Sequence, residues 1–258
     1  MKALLKMKGI NLNHADENGC TALSAAAWKG HHEVFWWLMG KKGIHVNNIE
    51  VPQGALTLGN SPLSIAAQKG HTKMIKLMLS KDGINVNQAD ARGVTPLINA
   101  ARFGHDRVVK LLLTDRSIKV NQADEDGITP LIWAATQGNL KIVQMLLGQK
   151  DININLSHKN GKTPLSMAVQ EGHTEVVSVL KRKITTPSNQ AATCIVCLDL
   201  KPDVALVPCG HQNMCGACAH QWNEEQKGCP IDRTKILEIL PLKRESEEPT
   251  RKKSRHQE

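Results

Sequence analysis

A thirteen-residue sequence motif occurs five times, with variation, in the first two thirds of the chain. It is GCTALSAAAWKGH at residues 19–31, and related sequences such as GVTPLINAARFGH lie at 59–71, 93–105, 127–139 and 161–173. The Thr or Ser at its third position recurs at steps of 40, 34, 34 and 34 residues, so a six-residue insertion lies near PQGALT in the first step. A nearly fixed period of this length predicts stacked units that bury apolar surface against their neighbours.

Each unit is predicted to contain two short helices. Thr95 is placed to cap the first helix, Pro96 suits its first turn because an N–H there would be unpaired anyway, and Gly104 can adopt the left-handed conformation that ends it. The run RVVKLLL at residues 107–113 supplies a second helix with a broad apolar face. That face needs neighbouring units to cover it, so the predicted fold class is mostly α, built as a solenoid.

The five units resemble ankyrin repeats over residues 9–183, because the T-P-L, A-A, G-H and V-N elements recur in register. MKALLKMKGINLN at the N-terminus resembles the second half of a further unit, so residues 1–183 are interpreted as a partial first unit plus five. The histidine that usually follows T-P-L in the family is absent, and we expect its hydrogen bond to be lost in every unit. The residues in its place are Ser24, Ser64, Ile98, Ile132 and Ser166.

By this resemblance, the array binds proteins through its hairpin tips and the ends of its first helices. The leading candidates are Trp28, Lys29, Lys69, Arg102 and Phe103. An exposed aromatic ring on such a surface is a typical hot spot, and the alternative is that both aromatic rings pack against the neighbouring unit. The remaining candidates by position are Asp16, Glu17, Gln68, Glu125, Asp126, Thr136, Gln137, Lys159 and Asn160.

Four histidines recur at one place in the units, which are His31, His71, His105 and His173. They resemble metal ligands in their recurrence, but equivalent positions of a solenoid stand about one repeat apart. We therefore interpret them as structural residues that fix the loop between the two helices.

The formal charge is distributed unevenly along the chain. Residues 1–184 carry 23 Lys and Arg against 14 Asp and Glu, whereas residues 185–258 carry 10 of each. The surplus of positive charge in the repeats favours an acidic protein partner. Nucleic acid is the competing partner, although the lysines show no dense basic stripe, and binding that is insensitive to salt would exclude it.

Six of the seven cysteines lie between residues 194 and 229, after a polar stretch at 184–193 that is predicted to be a linker. This clustering favours a metal site in a reducing compartment over a disulfide framework. Zinc binds four N, S or O ligands, and a C-x-x-C turn presents two of them to one ion. The eight candidate ligands predict two zinc ions, and they are Cys194, Cys197, Cys209, His211, Cys215, Cys218, Cys229 and Asp232.

The order of these ligands resembles the RING finger, a small zinc-bound α+β domain, here at residues 194–233. The segment is most similar to the RING of Cbl-type ubiquitin ligases, with which it shares D-V, P-C-G-H, G-C-P and a tryptophan between the last two ligand pairs. In the family, the first and third pairs bind one ion, and the second and fourth pairs bind the other. The resemblance therefore assigns Cys194, Cys197, Cys215 and Cys218 to one zinc, and Cys209, His211, Cys229 and Asp232 to the second.

Asp232 stands where the pattern has its last cysteine. Carboxylate oxygen is a zinc ligand at about 2.0–2.2 Å, so Asp232 is predicted to complete the second site. The alternative is a degenerate site in which water fills the position and activity is lost. A content of one zinc ion per chain would favour that alternative.

The resemblance also implies a function. In RING ligases an aliphatic, an aromatic and a proline residue form a shallow groove for a ubiquitin-conjugating enzyme, and Ile195, Trp222 and Pro230 occupy those positions. A basic residue after the last ligand bridges that enzyme and ubiquitin, and Arg233 occupies its place. The chain is therefore predicted to be an E3 ubiquitin ligase that binds substrate through its repeats. The alternative is a non-catalytic adaptor with a structural or dimerising RING.

Residues 234–258 are predicted to be an apolar flank followed by a disordered charged tail. The flank TKILEILPL carries four aliphatic residues, which favours a weak homodimer, and RKKSR in the tail is a weak nuclear-localisation signal. The N-terminus has no apolar stretch of signal-peptide length, and no run approaches the roughly 20 apolar residues of a membrane span. These features predict a cytoplasmic protein that also enters the nucleus if that signal is used.

Overall fold

The computed structural model describes residues 11–17, 19–47, 59–184, 204–207 and 238–241. The chain forms two compact domains, Met1–Leu180 and Lys181–Glu258. Within the described part, the repeats form ten helices in pairs. Their bounds are α1 Ala22–Lys29, α2 His32–Met39, α3 Pro62–Lys69, α4 Thr72–Leu79, α5 Pro96–Arg102, α6 Asp106–Leu112, α7 Pro130–Thr136, α8 Leu140–Leu147, α9 Pro164–Gln170 and α10 Thr174–Ile184.

The first helix of each pair begins and ends as predicted. Thr95 precedes α5 in an extended conformation, and its hydroxyl oxygen accepts a hydrogen bond from the Ile98 N–H at 3.2 Å. Pro96 is the first residue of α5, and Gly104 after it has a φ of 74°. A left-handed φ is costly for any residue with a Cβ, so glycine is required at this turn.

The predicted loss of a hydrogen bond in every unit is wrong for two of the units. Ser24 lies where the family has its histidine, and the Thr21 N–H donates to the Ser24 hydroxyl at 2.8 Å. Ser166 accepts from the Thr163 N–H at the same distance. In both units the threonine hydroxyl accepts in return from the serine N–H, which makes a reciprocal cap. Ile98 and Ile132 are instead buried in the core.

The core of the array lies between consecutive repeat units. The first helices of neighbouring units pack on one another, and so do the second helices. Consecutive alanines in the first helices are almost completely buried, as at Ala66 and Ala67 and at Ala100 and Ala101. Small side chains allow these helices to approach closely. The second helices contribute larger apolar residues, and in the run RVVKLLL it is Val108, Val109 and Leu112 that are buried.

A ladder of asparagine side chains joins each unit to the next on the connector side. The amide of Asn87 donates to the Ser117 carbonyl at 2.8 Å, and its oxygen accepts from the Lys119 N–H at 2.8 Å. Asn13, Asn47 and Asn121 make the same pair of contacts with the following unit. The V-N element of the repeat therefore holds neighbouring connectors in register.

We expect Asn87→Ala to destabilise the array because it removes both hydrogen bonds of one rung. Each is worth about 1 kcal/mol net, so the unfolding free energy is expected to fall by about 1–2 kcal/mol. Urea unfolding followed by circular dichroism at 222 nm measures this change. Asn160→Ala is the matched control, since Asn160 is exposed at a hairpin tip. Equal stability of the two variants would contradict the ladder.

The last helix of the repeats continues one residue into the predicted linker. Ile184, assigned to the linker, is the last residue of α10 and is 1% exposed. Burial of this apolar side chain stabilises the last turn of the helix. The rest of the predicted linker lies outside the described residues, as does the PQGALT insertion.

In the C-terminal domain the structure describes one antiparallel pair of strands, β1 Val204–Val207 and β2 Glu238–Pro241. The register pairs Val204 with Pro241 and Val207 with Glu238. β1 belongs to the segment between the first two predicted ligand pairs, whereas β2 belongs to the predicted flank. Part of that flank is therefore built into the same sheet as the predicted finger.

Ending the chain after Arg233 is expected to destabilise the finger, because β1 then loses all of its pairing with β2. Cross-strand pairs contribute roughly 0.2–1 kcal/mol each, so a loss of about 2 kcal/mol is expected. A chain ended after Leu242 keeps β2 and is the control. Thermal unfolding of the two truncated chains, compared with the intact chain, measures the effect. Identical melting after either truncation would show that β2 does not stabilise the finger.

Candidate functional site

The C-terminal ends of the first helices bring most of the predicted binding residues to one side of the array. Trp28 and Lys29 end α1, Lys69 ends α3, and Arg102 ends α5 with Phe103 immediately after it. All five side chains are exposed, and α1 packs on α3 as α3 packs on α5. The structure therefore assembles the leading candidates across three consecutive units.

Trp28 and Lys69 form a contact between two units. The Trp28 ring is 46% exposed, and the Lys69 Nζ lies 3.6 Å from its centroid. An ammonium over an indole face is attracted by the ring quadrupole, by about 0.5–1 kcal/mol at an exposed site. The neighbouring unit thus covers one face of Trp28 with a cation and leaves the rest of the ring accessible.

Arg102 makes a similar contact with the unit that follows it. Its guanidinium carbon lies 4.5 Å from the Trp133 centroid and 5.5 Å from the Phe103 centroid, and Phe103 is 45% exposed. Sequence reasoning missed Trp133. Trp133 lies at the middle of α7, and the equivalent residues of the first three units are Ala25, Ile65 and Asn99. The presence of a large aromatic residue at this position of the repeat was the signal that could have identified it.

The remaining candidates divide between the helix ends and the hairpin tips. Thr136 is half-buried, and its hydroxyl donates to the Ile132 carbonyl at 2.8 Å. Gln68 is also half-buried, whereas Gln137 is exposed and uncharged. The exposed tip residues with charge or amide groups are Asp16, Glu17, Glu125, Asp126, Lys159 and Asn160. The helix ends of the first three units are therefore cationic, while the tips carry several carboxylates.

Two of the recurring histidines tie adjacent units together, which confirms their structural role. The Nε2 of His105 lies 2.9 Å from the Gln68 carbonyl oxygen, and that of His173 lies 2.9 Å from the Thr136 carbonyl oxygen. The His105 ring lies against Gly70, where an added Cβ would come within 2.7 Å of Nδ1. Glycine in the G-H element is thus needed for close approach as well as for its positive φ.

His71 lies at the same place in its unit without that hydrogen bond. Its Nε2 is buried and has no hydrogen-bond partner among the described residues. Burial lowers the pKa of His71, and the nearby His32, Lys69 and His105 lower it further. The neutral ring is therefore favoured, and it lies edge-on to His32 with the centroids 5.6 Å apart.

The predicted metal ligands all lie outside the described residues, as do Ile195, Trp222, Pro230 and Arg233. Within the described ranges, no group of three or more His, Cys, Asp or Glu residues could hold a metal ion. The chemistry of the eight predicted donors fits zinc, since six thiolates, one imidazole and one carboxylate are all ligands of that ion. Among the helices of the described part, none is long and apolar enough to cross a membrane.

Known protein families match residues 18–239 of the chain. An ankyrin-repeat family described as three copies matches residues 48–124 and 117–190, and a single ankyrin repeat matches residues 18–50. The family described as "Zinc finger, C3HC4 type (RING finger)" matches residues 190–239. That name specifies four cysteines after the histidine, and this chain offers Cys215, Cys218, Cys229 and Asp232 in their places.

Three curated relatives are similar over short segments. "Probable E3 ubiquitin-protein ligase XBOS34" of Oryza sativa subsp. japonica is 42% identical over 50 residues, which is 19% of this chain and 10% of the relative. "Probable E3 ubiquitin-protein ligase LUL4" of Arabidopsis thaliana is 36% identical over 59 residues, covering 23% and 16%. "E3 ubiquitin-protein ligase NEURL3" of Mus musculus is 37% identical over 46 residues, covering 18% of each.

The matched segments are thus less than a fifth of the length of these relatives. The ankyrin matches, by contrast, cover more than half of this chain, and the helix pairs, caps and inter-unit contacts described above agree with them. The chain belongs to the ankyrin-repeat proteins and carries a zinc-binding RING finger after its repeats.

Proposed function

We propose that the protein is a RING-type E3 ubiquitin ligase that binds a protein substrate through its ankyrin repeats. The observation that carries this proposal is the joining, in one chain, of a RING-family segment to an array with an exposed face of cations and aromatic rings. The names of the relatives support ubiquitin transfer as the activity. The array binds the substrate, and the finger binds the conjugating enzyme.

Two zinc ions would hold the finger in shape. Cys194, Cys197, Cys215 and Cys218 are proposed to bind the first, and Cys209, His211, Cys229 and Asp232 the second. The zinc supplies the folding energy of a segment too small to have a large apolar core. The ions lie outside the chemistry of transfer, which falls to residues beside the ligands.

Ile195, Trp222 and Pro230 are proposed to bind the conjugating enzyme in a shallow apolar groove. Arg233 is proposed to contact that enzyme and its thioester-linked ubiquitin together. The amine of a substrate lysine attacks the thioester carbon, an isopeptide bond forms, the thiolate of the conjugating enzyme leaves, and the amine proton passes to solvent. No covalent bond to the ligase is made, so its contribution is orientation of the reacting groups.

The partner on the array is proposed to be an acidic protein. Arg102, Lys69 and Lys29 present positive charge at the helix ends, and the repeats carry the whole net charge of the chain. A weak homodimer through the flank TKILEILPL and a cytoplasmic location, with entry into the nucleus through RKKSR, complete the proposal.

The test is a reconstituted ubiquitin reaction with activating enzyme, a panel of conjugating enzymes, ubiquitin and ATP. Ubiquitin chains are expected with at least one member of the panel, and Ile195→Ala is expected to reduce them because it removes part of the groove. Lys110→Ala, on the exposed side of α6, is the control and should retain activity. Absence of chains with every panel member would support the non-catalytic adaptor instead.

A further inference from the structure

The exposed sides of α4, α6 and α8 bring together five cations that are dispersed in the sequence. Lys73 and Lys76 lie three residues apart on α4, a spacing that places two side chains on one side of a helix. The next two units continue the group at steps of 34 residues. All five side chains are exposed, and α4 packs on α6 as α6 packs on α8. The basic face formed in this way consists of Lys73, Lys76, Arg107, Lys110 and Lys141.

Acidic residues border the basic face but do not neutralise it. Glu33 of α2 and Glu175 of α10 have the position that Lys73 has in its unit, so the cations are confined to the three central units. Among the described residues, no carboxylate lies within ion-pair distance of any member of the face. Asp106 is the one acidic residue within α4, α6 and α8, and it is half-buried in the first turn of α6. The potentials of neighbouring exposed cations add, so the face attracts an anion that carries several charges.

An exposed tryptophan lies beside the basic face. Trp36 of α2 is 66% exposed and has the position that Lys76 has in the next unit. Because α2 packs on α4, the ring borders the cations. In the part of the chain that the structure describes, no cation or second ring covers Trp36, whereas the Lys41 Nζ lies 3.6 Å from the centroid of the neighbouring Trp37. Trp36 is therefore available to a ligand with a flat ring.

The composition of the basic face favours nucleic acid over other polyanions. Protein interfaces have few charged residues at their centre, and lysine is depleted there, whereas nucleic-acid interfaces are polar and strongly positive. Binding to an anionic membrane surface combines cations with apolar side chains that enter the lipid. Among the described residues, the exposed sides of α4, α6 and α8 carry no large apolar side chain. The phosphates of a nucleic acid match a surface of cations alone.

Trp36 favours an unpaired strand over a duplex. The bases of a duplex are already stacked on one another, whereas those of a single strand are free to stack on an aromatic side chain. We propose that the basic face binds the phosphates of a single-stranded nucleic acid and that Trp36 stacks on one of its bases. This site lies on the second helices, so it is separate from the surface at the ends of the first helices and from the proposed ubiquitin transfer.

Titration of labelled oligonucleotides of about 20 nucleotides with the intact chain tests the partner, and fluorescence anisotropy is the measurement. Homopolymers of uridine and of thymidine are the RNA and DNA probes, and both are expected to bind with a Kd of about 1–100 µM at physiological salt. For three to five phosphates, log K is expected to fall with log salt at a slope of about −2 to −3.5. A duplex of the same length, labelled poly-glutamate and vesicles with phosphatidylserine are each expected to bind at least about fivefold more weakly.

Charge reversal tests the basic face. Lys76→Glu and Arg107→Glu are each expected to weaken binding of the single strands by about tenfold, because each replaces a phosphate contact with repulsion. Lys159→Glu makes the same change of net charge at an exposed hairpin tip and is expected to change binding by less than about twofold. Glu33→Lys extends the face toward Trp36 and is expected to tighten binding by about threefold, a gain that unfolding would not produce. Circular dichroism checks that each variant stays folded.

Trp36→Ala tests the stacking contact. It is expected to weaken binding of the single strands by about fivefold or more and to leave both the salt slope and binding of the duplex unchanged. Trp28→Ala is the matched control, because Trp28 is a half-exposed tryptophan on a first helix. It is expected to leave binding of the single strands unchanged. Equal effects of the two variants would remove Trp36 from the site and overturn the proposal.

Equal effects of Lys76→Glu and Lys159→Glu would also overturn the proposal, as would binding that is insensitive to salt. Binding of the duplex, poly-glutamate or vesicles as tight as that of the single strands would assign the face to another partner and overturn it too. Discharge of loaded conjugating enzyme to free lysine needs no nucleic acid. Normal discharge by a chain that does not bind the oligonucleotides would therefore reject this inference alone, whereas absent discharge with normal binding would reject the proposed function alone.

Discussion

Asp232→Ala is expected to lose one of the two zinc ions and to unfold the finger. The second predicted site would keep only Cys209, His211 and Cys229, and the ion would lack its fourth ligand from the protein. Binding energy is folding energy in so small a zinc domain, so an incomplete site leaves the finger largely unfolded. Zinc content by atomic absorption, with proteolysis of the finger as a measure of folding, checks this result.

Asp232→Cys is the matched variant, because it restores the cysteine that the C3HC4 pattern has at this position. It is expected to keep two zinc ions and a protease-resistant finger. If Asp232→Ala and the unaltered chain held the same zinc and were equally resistant, Asp232 would not be a ligand. One zinc in the unaltered chain would identify the degenerate second site instead.

Arg233→Ala and Trp222→Ala are expected to lower ubiquitin transfer in different ways. Arg233 is proposed to act chiefly when ubiquitin is folded back against the conjugating enzyme, so its loss should slow discharge by about tenfold or more with little change in binding of that enzyme. Trp222 is proposed to form part of the groove, so its loss should weaken binding itself by about tenfold or more. Single-turnover discharge to free lysine and a binding titration, made side by side, separate the two effects.

Both variants are expected to keep two zinc ions, because neither residue is a ligand. That measurement is the control, since loss of zinc would turn either effect into simple unfolding. Discharge by Arg233→Ala at the unaltered rate would contradict the bridging role. Unchanged binding by Trp222→Ala would remove that residue from the groove.

The array was predictable from sequence because its determinants are local and repeated. The caps at Thr95 and its equivalents, the proline that follows and the left-handed glycine each act within a few residues. Five occurrences in register made the period and the fold class clear. The exchange of hydrogen bonds between Thr21 and Ser24 was missed because the expectation concerned the absent histidine, whereas a serine can also cap.

Contacts between units were harder to predict, because they depend on distances that the sequence does not contain. The positions of Trp28 and Arg102 within their repeats predicted that both residues are exposed. They did not show that Lys69 covers Trp28 or that Arg102 reaches Trp133. The pairing of Val204–Val207 with Glu238–Pro241 joins segments that are distant in sequence, so no local pattern revealed it.

The predictions for the finger rest on ligand spacing and family resemblance, and their residues lie outside the described part of the chain. Spacing predicts which side chains can share an ion, because a two-residue gap brings two ligands to one turn. It does not predict the strength of the Asp232 contact or the shape of the groove around Ile195 and Trp222. Those properties depend on packing, and the variants above are designed to measure them.

The central claim is that the finger accelerates transfer of ubiquitin from a loaded conjugating enzyme. The most direct measurement is the single-turnover rate of discharge to free lysine, with the intact chain present and absent, for each enzyme of a panel. We expect acceleration by about tenfold or more with at least one enzyme, and its loss when zinc is removed by a chelator. Discharge at the uncatalysed rate with every enzyme, from a chain that holds two zinc ions, would contradict the claim.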